Sequence, residues 1–223
     1  MFEITLNLGG KEIVIAETIV NTYIVTFLLI IFAIVVNRKI KNAKPEDTPS
    51  GLLNVVEVAV EAIQTLVKQN MGEKQIWFAP YIFSLAFFLL VSNLFGLFGF
   101  TPPTSDYNVT LTLALITFTL TQFYGIKNNG IVGYAKGFLD PFPFLLPLNI
   151  LGELANPISL SFRLFGNILS GVIIMSLLYN ALGLIAPLIT PVLHAYFDVF
   201  SGILQTFIFT MLTMIFIGGS FND

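Results

Sequence analysis

Cysteine is absent from the chain, and histidine occurs once. The first absence excludes disulfides, thiolate metal sites and cysteine nucleophiles, and the second excludes any multi-histidine metal centre. Charge is scarce as well. Only 10% of the 223 residues are charged, where soluble domains carry about 25%. With 56% hydrophobic residues and a mean hydropathy of +0.87, the composition indicates a polytopic membrane protein. The net charge of −3 gives no sign of a nucleic-acid partner, and no pattern calls for a metal or cofactor. The opening stretch MFEITLNLGGKEIVIAE has acids where a secretory signal needs a basic start, so no cleavable signal is expected.

What is present is a series of long apolar runs. Residues 1–17 alternate apolar and polar around a Gly-Gly turn, suiting a short extended or irregular segment in water. Residues 18–36 form a first span, long enough to cross about 30 Å of hydrocarbon. Arg38, Lys39, Lys41 and Lys44 follow at once, so the positive-inside rule puts the far end of this span in the cytoplasm and the N-terminus outside. After the polar linker AKPEDTPSG, residues 51–70 place Leu52, Val56, Ala59, Ile63, Leu66 and Val67 on one side, with Asn54, Glu57, Glu61, Gln64 and Lys68 on the other. That pattern predicts an amphipathic helix lying at the cytoplasmic interface.

Residues 77–98 and 108–124 read as the second and third spans, joined outside at FGFTPPTSD and followed inside by the Gly/Asn loop GIKNNGIVGYAKG. Residues 147–179 and 191–217 form the last two, with 180–190 as the turn. Both are too long to stand upright in about 30 Å, so a strongly tilted or bent hairpin is expected, with a kink at Pro157. Five crossings leave the C-terminus inside. Of the ten Lys and Arg, only Lys11 falls outside by this topology and only Arg163 inside the membrane. A bacterial inner membrane suits the compact chain.

Arg163 demands explanation, because about fifteen apolar-rich residues flank it on each side, too far for its side chain to reach a headgroup. At 100° per residue Asn149, Asn156, Ser159, Arg163, Asn167 and Ser170 lie within about 40° of one line, a polar stripe. On the last helix His194, Asp198, Ser201 and Gln205 share a face through spacings of 4, 3 and 4. Two antiparallel helices with polar stripes predict a hydrated ion path, interrupted in the middle. Glu153 and Asn149 lie toward the cytoplasm, His194, Asp198 and the loop residue Asp106 toward the outside, and Arg163 and Gln205 between. A fixed cation repels the ion a free pore would pass, yet it suits a carboxylate arriving from another subunit, whose ionised form it stabilises.

The strings SFRLFGN at 161–167, LQTFIFTMLTMIFI at 204–217 and PPTSDYNVTLTLAL at 102–115 closely resemble subunit a of the F-type ATP synthase membrane sector. The order of spans resembles that family over nearly the whole chain. The resemblance implies an all-α, non-catalytic stator with five crossings and one interfacial helix, partnered by a ring of c subunits, the b subunits of the peripheral stalk and lipid. It implies that Arg163 faces the ring carboxylates with Asn167 and Gln205, between two offset half-channels that couple proton or sodium flow to rotation and ATP synthesis. Asp198, His194 and Asp106 are expected in the outer half-channel, and Glu153, Asn149 and Asn156 in the inner one. Where many relatives have a glutamate nine residues after the arginine this chain has Val172, and where many have a histidine seven before the glutamine it has Asp198. The other readings open at this point are a self-contained transporter or channel with Arg163 as an anion-binding residue, and a structural scaffold whose tilted hairpin docks another membrane protein.

Overall fold

A computed structural model of the chain describes residues 4–8, 11–43 and 51–221. The Gly-Gly turn and the linker carrying Lys44 lie outside the described residues. Strands β1 (Ile4–Leu8) and β2 (Lys11–Ile15) pair antiparallel, with Ile4 opposite Ile15 and Leu8 opposite Lys11. Among the described residues, every regular element after them is a helix. Five helical stretches are long and apolar enough to cross a membrane: Glu17–Asn42, Glu73–Phe98, Tyr107–Gly137, Pro143–Leu182 and Ala186–Gly219.

Helix α1 (Glu17–Asn42) begins on an acid and ends on Lys39 and Lys41, the arrangement that the helix dipole favours. It runs past the expected stop at residue 36 because Arg and Lys are good helix formers. Its outer end is tied down: Asn21 Nδ2 donates to the Thr101 carbonyl at 2.9 Å, and Thr18 Oγ1 donates to Asp106 at 2.7 Å. Helix α2 (Gly51–Met71) is amphipathic; its first half leaves Leu52, Val55 and Val58 exposed, whereas Val67 and Met71 near its end are buried.

A 3-10 segment, Glu73–Phe78, leads into α3 (Ala79–Leu94), and Asp106 caps α4 (Tyr107–Gly137) by accepting from the Asn108 amide. Here the expected cytoplasmic loop is corrected. Helix continues through residues 125–137, interrupted only at Gly130, whose φ of 68° and ψ of 164° break the axis. Only glycine adopts such a conformation without strain. The turn expected at 180–190 is also shorter. Helix α5 (Leu146–Leu182) extends to Gly183, where φ is 51°, and a single 3-10 turn leads into α6 (Ala186–His194). Pro187 is tolerated there because it occupies the first turn, where its missing N–H would have had no partner. A π-helical turn, Ala195–Phe200, joins α6 to α7 (Ser201–Gly219).

The interior has two apolar clusters. Val67, Met71, Phe78, Ala79, Ile82, Met214 and Ile217 bring α2, α3 and α7 together, while Leu85, Leu89, Ala114, Leu160, Leu164, Ile168 and Phe209 join α3, α4, α5 and α7. Lipid tails are as apolar as leucine, so such packing gains no water-driven attraction and polar contacts between spans matter more. Asn93 supplies them: its Nδ2 donates to the Gly202 carbonyl at 3.1 Å and to Thr206 at 3.0 Å, and its Oδ1 accepts from Thr104 at 2.7 Å. Thr117 and Thr213 share a further bond at 3.2 Å. Double-mutant cycles in a helical membrane protein average about 0.6 kcal/mol for each such contact.

Candidate functional site

The α5–α7 pair sets the site. Asn167 Nδ2 donates to Ser201 Oγ at 2.8 Å, and Gly171 packs against the Phe197 side chain. The helices run in opposite senses, so one turn from that bond in each chain direction brings Arg163 and Gln205 to the same level. Arg163 is exposed on the flank of α5. Among the described residues it makes no ion pair; the one such pair is His194 with Asp198. Gln205 is its opposite in environment, 3% exposed, and its amide nitrogen finds no protein partner. Along α5, Gly152, Ala155, Ser159, Gly166 and Ser170 are exposed with Arg163. Their spacing of three and four makes a face of small residues around one cation, on which another helix can approach closely.

Toward one end lies a cavity of about 1070 Å³ lined by Asn149, Glu153 and Asn156 of α5 and by Asn129, Tyr134 and Lys136 of α4. A smaller one of about 280 Å³ extends from Glu153 and Asn156 to Ile215 and Phe216 of α7 and Ser220 just beyond its end. Glu153 is held by the Nε2 of Gln122 at 2.7 Å and, more loosely, by the Nδ2 of Asn156 at 3.4 Å. Asn149 donates to the carbonyls of Phe138 and Asp140 at 2.9 and 3.0 Å, fixing the chain that enters α5. Pro157, buried inside α5, removes the helix bond to the Glu153 carbonyl.

Toward the other end His194 Nδ1 is hydrogen-bonded to Asp198, and His194 Nε2 meets the Tyr179 hydroxyl at 2.7 Å. Asp198 rides on the π-helical turn and lies against Gly96, where a Cβ would stand 3.6 Å from its carboxyl carbon. Asp106 accepts from Thr18 and from Asn108, and among the described residues it makes no hydrogen bond to His194 or Asp198. Val172, half-buried on α5, sits within about a half turn of the level of Asp198 in the register set by Gly171 and Phe197.

Sequence reading missed Gln122, Tyr134, Tyr179 and Asn93. Each sits outside the polar stripes of the last two helices and reaches the site only through tertiary packing.

Residues 19–218 match the family model described as ATP synthase A chain. The chain belongs to that family. It is 37% identical over 213 residues to ATP synthase subunit a of Trichlorobacter lovleyi, covering 93% of this chain and 88% of the relative. It is similar at 37% over 220 residues to a Propionigenium modestum protein named ATP synthase subunit a, sodium ion specific, covering 91% of this chain and 74% of the relative. A Geobacter sulfurreducens subunit a shares 37% over 213 residues, with 93% and 89% covered. Membership of the ATP synthase A chain family and five apolar helices together make this an integral membrane protein of the synthase.

Proposed function

We propose that this chain is the stationary ion-translocating subunit of the F-type ATP synthase membrane sector, non-catalytic by itself. It couples proton or sodium flow to rotation of a ring of c subunits and hence to ATP synthesis. The observation that carries the reading is Arg163: an exposed cation on a face of small residues, without an acid of its own among the described residues, between two polar clusters. Such a guanidinium needs a counter-charge from outside the chain, and a carboxylate on each passing ring helix supplies one. Gln205 lies at its level and Asn167 one turn farther along α5.

The cavity around Glu153, Asn149 and Asn156 serves as the inner half-channel, and Asp198 with His194 serves as the outer one. Asp198, on the last helix, takes over the acid that Val172 lacks. Asp106, bound to Thr18 and Asn108, contributes by holding the outer ends of α1 and α4. The N-terminus lies outside and the C-terminus in the cytoplasm of a bacterial plasma membrane, with Arg38, Lys39, Lys41, Lys68, Lys74, Lys127 and Lys136 on the inner side. The b subunits of the peripheral stalk and lipid cover the remaining apolar surface.

The test is Arg163→Ala in the reconstituted complex. Coupled ATP synthesis is lost while the subunit still co-purifies with its partners. ATP-driven pumping at the wild-type rate in that variant overturns the assignment and favours a self-contained transporter, which would also move solute when reconstituted alone.

A further inference from the structure

We propose that Tyr134 and Gln122 are positioning residues for the transported cation's cytoplasmic access, holding the Glu153 carboxylate at the wall of the inner cavity. The inference rests on the inner half-channel reading given above and adds to it two residues of a different helix.

The geometry begins at Gly130. The break there lets the last turns of α4 fold back, so that the Tyr134 ring lies on Gly125 of the same helix; a Cβ at Gly125 would stand 2.8 Å from a Tyr134 ring carbon. Gly125 is buried, and its missing side chain is the space the ring occupies. From that seat the Tyr134 hydroxyl donates to Gln122 Oε1, and Gln122 Nε2 donates to Glu153 Oε1 at 2.7 Å. Asn156 gives the second carboxylate oxygen a donor at 3.4 Å.

The polarity of this chain of bonds follows from its chemistry. An amide presents an acceptor on one side and donors on the other. With the tyrosine O–H satisfying the acceptor, the donor side must face Glu153, whose carboxylate then accepts on both oxygens and is fixed in place. A carboxylate at the rim of a cavity of about 1070 Å³ gives an arriving cation an oxygen ligand there. Lys136 lines the same cavity without an ion pair to Glu153 among the described residues, so the carboxylate is not consumed by a local cation. Tyr134 and Gln122 touch no ring carboxylate in this reading; they act through Glu153.

The experiment measures ATP-driven pumping by the reconstituted complex against the concentration of the transported ion, proton or sodium, on the cytoplasmic face. Glu153→Gln raises the half-saturating concentration about tenfold, the scale of one interaction with a charged group. Tyr134→Phe, which keeps the ring over Gly125 and removes only the hydroxyl, raises it roughly threefold, and Gln122→Leu raises it between these. Saturated rates change less than about twofold, because Arg163 is untouched. Added to Glu153→Gln, Tyr134→Phe has no further effect, the non-additivity expected of residues acting through one group. A wild-type half-saturating concentration in Tyr134→Phe overturns the inference, as does an effect that multiplies in the double variant. If instead Arg163→Ala still pumps normally, the stator reading itself fails, whatever these variants do.

Discussion

Two side chains at one level of the membrane face opposite conditions, and the difference says what each can do. Arg163 is open on the flank of α5, and Gln205 is enclosed with an amide nitrogen lacking a protein partner. Burying such a donor costs about 1–3 kcal/mol, so Gln205→Leu should stabilise the isolated subunit or leave it unchanged. In the same variant ATP-driven pumping should fall at least several-fold, because the polar surface beside Arg163 is gone. A thermal melt in detergent and a pumping assay on one preparation separate the two; lower stability with normal pumping would make Gln205 purely structural. Asp198→Asn keeps a hydrogen-bond partner for His194 and removes the charge. It should slow synthesis driven by an ion gradient directed inward, with assembly intact, and unchanged synthesis would remove Asp198 from the outer path.

At the scale of elements, close backbone approach does the positioning. Gly218 of α7 comes so near the end of α2 that a Cβ would stand 2.8 Å from the Asn70 carbonyl oxygen. Backbone cannot yield as a flexible side chain does, so Gly218→Ala should cost about 1–3 kcal/mol and lower the yield of assembled complex; an unaltered melt would show that α2 is free to move away. Gly125→Ala should displace the Tyr134 ring and reproduce the Tyr134→Phe pumping defect. These elements also show what was legible in the sequence. The spans and the amphipathic α2 were, because apolar length and a 3.6-residue period are local properties. Arg163 stood out because a cation in an apolar run is costly wherever it sits. The helix through residues 125–137 was hidden: Gly and Asn read locally as loop, whereas the packing of Tyr134 on Gly125 is a contact nine positions apart across a break. Gln122 was hidden with it, an amide in a threonine-rich stretch whose meaning depends on Glu153 of the next helix. The bond from Thr18 of α1 to Asp106 was invisible too, since loop position fixes depth in the membrane and not direction around the bundle.

For the whole molecule, the absence of cysteine makes orientation directly testable. A single cysteine introduced at Lys39 or Lys136 should react with an impermeant maleimide only from the cytoplasmic side, and one at Thr5 only from the opposite side; reversed labelling would invert the topology. The 37 residues of α5 amount to about 55 Å of helix, more than the roughly 40–45 Å of a bilayer with its headgroups. A straight helix of that length held within such a layer leans by about 40°, so each turn advances nearly as far sideways as it climbs. From Glu153 to the level of Asp198, some 25 Å along that slope, the drift parallel to the membrane plane is about 16 Å, wider than the usual 8–10 Å between packed helices. In the proposed mechanism the two acids would then sit over different neighbouring helices of the ring, like teeth out of phase, and a passenger set down by one would reach the other only on a carrier that travels laterally.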